Sequence, residues 1–465
     1  MPLHLSRGHD AGLAARRTRL EARLDRDVPV LMIKLAHAPL HHGVLGAIRS
    51  LGRAGVPVYG VHEDRLAPAS LSRYLTGRFI WSAASEDPDE LLQGLLTMGD
   101  RIGRQAILLP TDDRAAVFIA EHGAELRRAF RLPAQPDTSP RQLADKLKLH
   151  RICRDAGIAS PDVTIPASRS DVVEFAKQTS FPIIMKLSEG SIRRQGLAML
   201  AAGTPPTSIA RTRTELLDLH KRVEQHEAGP VLLQEYIPAG EDWIVHGYCN
   251  EASECLVGFT GVKLRSYPPG SGGTTFGVCR SNPALLQQAQ ALCRKVGYRG
   301  IMDMDWRLDP RDGRYNLLDF NPRLGAQFRL FVDDHGIDVV RAMHLDLTGQ
   351  DVPRGVQPEG RAFMAEQFDV LAVLAARRRG ELTLREWWSS ARSPAELELG
   401  WLDRGDLVPP AMLAVRSLVR LASKTFRSDD PGRAAASATP RYSPGRRRDG
   451  QRVTGGRARI RSAQR

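Results

Sequence analysis

Residues 301–323 read IMDMDWRLDPRDGRYNLLDFNPR, ending in Leu317-Leu318-Asp319-Phe320-Asn321-Pro322-Arg323. Polar and apolar residues alternate on both sides of Pro310-Arg311-Asp312-Gly313, which is turn chemistry, so the stretch is predicted to be a β-hairpin. A strand sends every second side chain to one face. That groups Asp303 with Asp305 on the first strand, and Asp319 with Asn321 and Arg323 on the second. A three-residue closure, Arg311-Asp312-Gly313 with the glycine left-handed, pairs Pro310 with Arg314. It therefore pairs Asp305 with Asp319 and Asp303 with Asn321. Opposed carboxylates destabilise a ladder unless a cation lies between them. A hard divalent ion that takes oxygen ligands and bridges to phosphates, as magnesium does, suits such a pair. The plainer alternative is a solvated hairpin face with scattered acids.

At 465 residues the chain has room for two or three domains with their own cores. No stretch approaches the roughly eighteen uninterrupted apolar residues of a spanning helix. The N-terminus, MPLHLSRGHDAGLAARRTRLEARLDRD, is basic and lacks an apolar signal core, so the expected location is the cytoplasm. Cys153, Cys249, Cys255, Cys279 and Cys293 include no pair at zinc-knuckle spacing and are read as buried thiols in a reducing compartment. Of the formal charge of +13, a net +8 falls between Arg427 and the C-terminus. This tail has almost no large apolar residues and is expected to be disordered. Its charge allows weak contact with nucleic acid or an acidic surface.

From Val28 the sequence alternates strand, helix and strand through VPVLMIKLA, GVLGAIRSLGRAG, VPVYGVHE, RFIWSA, DELLQGLLTMGDRIG, AILLP and DRAAVFIAEHGAELRRAF. This predicts a small parallel α/β unit. No dinucleotide fingerprint follows its first strand; the loop there carries His37, His41 and His42, read as an ordinary loop. Asp112 and Asp113 open a helix, with capping the simplest role. After the linker LPAQPDTSP a helix is expected, with Ser139 as cap, Pro140 in its first turn and Gly157 as its stop. It carries Lys146 and Lys148. The strand FPIIMKL then places Lys186 among aliphatic neighbours. The loop SEGSIRRQG follows, with LAMLAA as the return strand, and later come VLLQEYI, Gly240-Glu241-Asp242, the Gly-rich loop SYPPGSGGTTFG and the acidic hairpin. Beyond about Arg361 the pattern is helical. Arg416, Arg420 and Lys424 there form a stripe that suits either a helix docked on its own domain or one resting on a membrane surface.

A lysine on an apolar strand costs free energy unless its head finds a partner or water. Lys146 and Lys186, a glycine-containing loop, a strand ending in Gln234-Glu235 and the acidic hairpin together compose a polyphosphate site. Lysines and backbone amides hold phosphates, and acids hold the metal that neutralises them.

In this order, Lys146, Lys186, Gln234-Glu235-Tyr236-Ile237, Gly240-Glu241-Asp242, Asp305 and Leu318-Asp319-Phe320-Asn321-Pro322-Arg323 resemble the ATP-grasp superfamily. Arg53, Ser72-Arg73-Tyr74, Pro110-Thr111-Asp112, Arg265-Ser266-Tyr267-Pro268 and Gly272-Gly273 look most like its predicted ATP-dependent carboligases, relatives of carbamoyl-phosphate synthase-like and D-aspartate-ligase-like enzymes. The resemblance implies a mixed α/β and α+β chain. A basic arm (1–27) precedes a Rossmann-like pre-ATP-grasp domain (28–135) and a two-lobed ATP-grasp domain (136–350). A helical extension (351–426) and the basic tail (427–465) follow.

It further implies an ATP- and magnesium-dependent ligase, with manganese as an alternative metal, forming ADP and phosphate while joining a small carboxylate to an amine through an acyl phosphate. Lys146 and Lys186 would contact phosphates, and Gln234 to Ile237 would face adenine. Asp242, or failing that Glu241, would hold the ribose. Asp305, Asp319 and Asn321 would bind metal. Arg323 would face the transferred phosphoryl group, and Arg265 the phosphate or the substrate carboxylate. A homodimer is compatible with this reading. Two departures from the family pattern stand out: Arg193-Arg194 with only Gly190 and Gly196 in the loop after Lys186, and Asp319 where glutamate is commoner. The alternative is an ATP-binding regulatory or scaffold protein of the same fold.

Overall fold

The four-residue strand β1 (Val30–Ile33) is buried along its whole length, as an all-apolar run in the middle of a parallel sheet must be. The structure is a computed structural model that describes residues 23–36, 40–81, 87–187, 207–226, 229–268, 272–428 and 461–463. β1 pairs in parallel with β2 (Val58–His62) and β4 (Ala106–Pro110), while β3 (Gly77–Ile80) and β5 (Phe130–Arg131) extend the sheet at either side. Helices α1 (His42–Arg53), α2 (Pro88–Ile102), α3 (Asp113–Glu121) and α4 (Gly123–Leu126) connect them. The chain leaves β1 toward β2 on one side and reaches β4 on the other, so the strand order reverses between β1 and β4. In open α/β sheets that switch point is where ligands bind, at the carboxyl ends of the strands. Asp112 ties the two loops there together. One carboxylate oxygen accepts from Ala115 N at 2.8 Å and caps α3, and the other accepts from Leu35 N at 2.7 Å and Ala36 N at 2.9 Å.

The linker helix is interrupted. Instead of one helix from Ser139 to Gly157, α5 (Ser139–Ala144) stops at Asp145, whose extended backbone (ψ 117°) and side chain, accepting from Lys148 N, start a new helix, α6 (Lys146–Ala156). The break places Lys146 at a helix start, where its side chain can reach the hairpin.

Four antiparallel strands follow: β6 (Val163–Thr164), β7 (Ile183–Leu187), β8 (Thr207–Ala210) and β9 (Val231–Glu235), in the order β6-β9-β7-β8. Helices α7 (Arg169–Gln178) and α8 (Arg213–Gln225) cover one face, packing Val172, Phe175, Leu216 and Val223 onto Ile183, Met185, Leu187 and Leu233. Alternation on β7 sends Ile184 and Lys186 to the other face. The expected return strand LAMLAA and the residues Gly190, Arg193, Arg194 and Gly196 lie outside the described residues. The strand seen pairing with β7 is β8.

The third sheet contains β10 (Asp242–Cys249), β11 (Cys255–Tyr267), β12 (Gly273–Cys279), β13 (Gly300–Leu308) and β14 (Tyr315–Asn321). Helix α9 (Pro283–Val296) buries Leu285, Ala289, Leu292 and Cys293, spaced for one helix face, against Met302, Met304, Trp306, Leu317 and Phe320. Gly272 makes the entry to β12 sterically feasible, since a Cβ there would lie 2.0 Å from the Tyr267 carbonyl.

Beyond helix α10 (Val339–Leu347) the chain is not purely helical. β15 (Ala362–Met364) and β16 (Leu397–Leu399) extend the third sheet, and between and after them run α11 (Glu366–Arg378), α12 (Leu384–Arg392) and α13 (Val408–Ser428). Residues 401–406 fold back on α1: buried Asp406 accepts from Arg49 Nε at 3.0 Å, Ser72 Oγ at 2.7 Å and Arg73 N at 3.0 Å. Arg53 pairs with Asp403 and lies over the Tyr74 ring. Arg53 and Ser72-Arg73-Tyr74 thus dock the C-terminal part onto the α/β sheet. Of the tail, Arg427 and Ser428 end α13 and Arg461–Ala463 form β17, an antiparallel strand on the edge of β3, so for those five residues the expectation of disorder is corrected; the rest lies outside the described residues.

Candidate active site

The hairpin of β13 and β14 has the expected pairs at its functional end, Asp305 opposite Asp319 and Asp303 opposite Asn321. It reaches them by a different route. At the turn Leu308 pairs with Tyr315, so the loop is one residue longer than the three-residue closure predicts, and a bulge at Leu318 restores the register. The bulge lets Leu317 and Phe320, three apart, both enter the core, at 1% and 0% exposure. It also turns out the Leu318 carbonyl, which accepts from Lys146 Nζ at 3.4 Å, and the same ammonium lies 3.0 Å from Asp319.

Opposite this hairpin stands β7 with β9. Lys186 Nζ donates to Gln234 Oε1 at 2.9 Å, the partner its apolar setting requires. A cleft of about 340 Å³ separates the two sheets. Nine of the expected residues line it: Lys146, Lys186, Gln234, Glu235, Tyr236, Ile237, Asp242, Asp305 and Asp319. Two of them have strong internal partners. Both oxygens of Asp242 bind Arg307, at 2.6 and 3.0 Å, and Glu235 pairs with Arg311 at 2.8 Å. Glu241 pairs with Arg280.

Arg265 is turned away from this cleft. Its guanidinium donates to both oxygens of Asp369 at 2.8 and 2.9 Å and to Ser390, and lies over the Phe276 ring. It lines a neighbouring depression that shares Asp242, Lys263 and Ser266 with the main cleft.

Arg323 sits between two acids. Its Nη1 donates to Asp303 at 2.7 Å, and its Nε lies 3.2 Å from Asp113. Asp303 is buried, with His246 Nε2 at 2.9 Å from its other oxygen. Burial alone would raise the Asp303 carboxyl, but His246, Arg323 and Lys263 outweigh it and hold the group well below the usual carboxylate range. At Asp305 the balance runs the other way. Burial, reinforced by Asp303 and Asp319, raises its carboxyl despite Lys263. Asp113 is raised by burial and by Asp319, Asp112 and Asp303.

Lys263, His246 and the roles of Asp113 and Asp303 beside Arg323 are absent from the sequence reading. Lys263 Nζ lies 2.6 Å from Asp305, yet its strand neighbour is Asp242 and Asp305 is on another strand of the sheet. Nothing local in GVKLRSY says which acid Lys263 or Arg265 would meet. Asp113 follows an N-cap and reads as helix-start chemistry.

The acids suit a divalent cation. Asp305 and Asp319 oppose each other with a lysine on each, an arrangement of oxygen donors that a divalent cation can bridge. Asn321 donates its amide to the Asp303 carbonyl at 3.2 Å, which leaves its oxygen as the metal-type donor. Among the described residues no group of three or more His, Cys, Asp or Glu forms a metal cage, so such a cation would need ligands beyond the two acids.

Burial, followed by the nearby Lys146, pulls the Lys186 ammonium down to about 8, against an opposite pull from Asp319. Phosphate binding favours the charged form. Nucleotide affinity is therefore expected to hold below about pH 8 and to weaken above it, by up to about tenfold per pH unit. Calorimetric titration with ADP from about pH 7 to about pH 9.5 checks this. Lys186→Met should bind weakly with a flattened profile, and a wild-type profile that is flat throughout would refute it.

No family model matches this sequence. The chain is 25% identical to a D-aspartate ligase of Enterococcus faecium (strain Aus0004) over 311 residues, 64% of this chain and 72% of that protein. Solved structures of similar fold include an N5-carboxyaminoimidazole synthetase of Staphylococcus aureus (TM-score 0.56, 13% identity, 77% of this chain and 87% of that one). An L-amino acid ligase of Bacillus licheniformis gives a TM-score of 0.53 at 15% identity, over 73% of this chain and 79% of that one. A biotin carboxylase of Campylobacter jejuni, solved with a β,γ-ATP ligand, gives 0.53 at 13%, over 72% and 74%. The chain has the ATP-grasp fold. Nine of the expected residues meet in the cleft between the four-stranded sheet with Lys186 and the hairpin sheet with Asp305 and Asp319.

Proposed function

We propose that the protein is an ATP- and magnesium-dependent carboxylate–amine ligase that forms ADP and phosphate. The observation that carries this reading is the convergence, across one cleft, of Lys146 and Lys186 with the Asp305–Asp319 pair, beside an arginine fixed by Asp303 and Asp113. The relatives whose names specify ligases agree with it. Residues 28–135 then act as the pre-ATP-grasp domain and 136–350 as the ATP-grasp domain, at work in the cytoplasm.

Lys146 and Lys186 hold the phosphates, and the edge of residues 235–237 meets adenine, with Asp242 at the ribose. Asp305, Asp319 and Asn321 hold magnesium, which when bound offsets phosphate charge. A substrate carboxylate oxygen attacks the γ-phosphorus, the bond to the β–γ bridging oxygen breaks, and ADP leaves. Arg323 stabilises the charge that develops on the transferred group. An amine then attacks the acyl carbon, loses a proton and expels phosphate. Asp113, at the switch point of the parallel sheet and beside Arg323, marks the acceptor side.

The test is to incubate the protein with ATP, magnesium and pooled carboxylates and amines, following ADP and new masses. ADP formed only when acid and amine are both present is the expected result. ATP that binds without yielding ADP in any combination would establish the regulatory or scaffold reading instead.

A further inference from the structure

Helix α13 (Val408–Ser428) has two apolar faces, and only one of them is covered. On the covered side Leu413 packs against the core and Arg416 pairs with Asp64 at 2.9 Å. On the other, Val408, Val415, Leu418 and Val419 are 56%, 51%, 65% and 62% exposed. Their spacing of seven, three and four residues makes one stripe along the helix. The same spacing continues in the sequence with Ala422 and Phe426. A single exposed leucine needs no explanation, but a continuous stripe marks a surface that something covers.

Composition says what covers it. From Leu407 to Ser428 there is no Asp or Glu, while Arg416, Arg420, Lys424 and Arg427 give the segment a net positive charge. The sequence then runs directly into the arginine-rich tail with its net +8. An acid-free helix with an exposed apolar stripe and a net positive charge complements a surface that is both anionic and able to take apolar side chains a few ångströms deep. The helical hairpin of α11 and α12 also exposes apolar side chains, Leu374, Leu384 and Trp388, with Arg392 lying over the Trp388 ring at 4.6 Å. Tryptophan and arginine are the residues that favour the water–lipid boundary.

We infer that the outer face of α13 docks on an anionic lipid surface. The helix lies in that surface rather than through it, since among the described residues no helix is long and apolar enough to cross a membrane. The inference does not depend on the ligase reading.

The full chain is sedimented with phosphatidylcholine vesicles containing about one third phosphatidylglycerol and, separately, with phosphatidylcholine alone. It should pellet with the first and not with the second. The double variant Val415→Asp, Leu418→Asp should lower partitioning at least about tenfold, because it removes apolar contact and adds negative charge. Both side chains are more than half exposed, so the variant's thermal transition and ADP binding should match wild type. Wild type left in the supernatant overturns the proposal. So does a variant that pellets as well as wild type, which would assign binding to the tail's charge alone. A wild-type dimer that the variant dissociates in sedimentation equilibrium also overturns it, by making the stripe an interface between copies.

Discussion

Asp319→Asn is expected to lower magnesium-dependent ADP formation by at least about a hundredfold without lowering stability. Asp319 is about one-third exposed, faces Asp305 across the ladder and carries Lys146 at 3.0 Å. Neutralising it removes a negative metal ligand and also relieves repulsion between opposed carboxylates, so the thermal transition should stay or rise. The Lys146 pair lost in exchange is partly solvated and contributes little. Calorimetry separates the effects. The gain in ADP affinity on adding magnesium should vanish, while metal-free ADP should bind about as before. A variant that keeps the magnesium-dependent gain would remove Asp319 from the metal site. Asp303→Asn is the contrast: Asp303 is held by His246 and Arg323, so its loss should disturb Arg323 while leaving the magnesium gain in place.

The largest expected effect on stability is at Asp369, far from the hairpin in sequence. Asp369 is fully buried on α11 and accepts from Arg265 twice, from Thr275 Oγ1 at 2.9 Å and from Trp387 Nε1 at 2.8 Å. Asp369→Ala leaves the guanidinium of Arg265 with Ser390 as its remaining side-chain hydrogen-bond acceptor, in a site where its side chain is 12% exposed. Breaking a buried pair from one side costs about 3–5 kcal/mol, read as a lowered denaturant midpoint. Asp369→Asn keeps one acceptor oxygen and should cost less. Arg265→Ala combined with Asp369→Ala should be less destabilising than the sum of the two, because neither then strands a charge. Ser266 and Gly272, beside this network, line the cleft proposed to hold the nucleotide, so ADP affinity should fall as well. An unchanged midpoint for Asp369→Ala would show that the network is not structural.

Some of the site was legible in sequence because its signals are local. Alternation put Asp303 and Asp305 on one face and Asp319 with Asn321 on another. The strand expected to hold Lys186 among aliphatic neighbours is β7, where Lys186 lies between buried Met185 and Leu187. The hairpin register came out right at Asp305 through two offsets that cancel, a longer turn and the Leu318 bulge. The bulge follows from the packing of Leu317 and Phe320 on α9, which no turn rule contains. Asp112 fulfils the capping role read for it, but it also binds the loop after β1, a contact spanning 77 positions. Arg265 shows the converse: a basic residue before a Gly-rich loop looks like a ligand contact until Asp369 arrives from the C-terminal helices.

By itself, then, the sequence determined which strands carry Lys186, Asp305, Asp319 and Asn321 and in what order, since periodicity and turn residues act over a few positions. Tertiary structure alone decided which charges meet. Lys263 reaches Asp305, Asp303 locks Arg323 from one side and Asp113 from the other, and Arg265 is taken up by Asp369. Each of these joins residues on separate elements. A buried charge settles on whichever opposite charge the packing of those elements brings within reach.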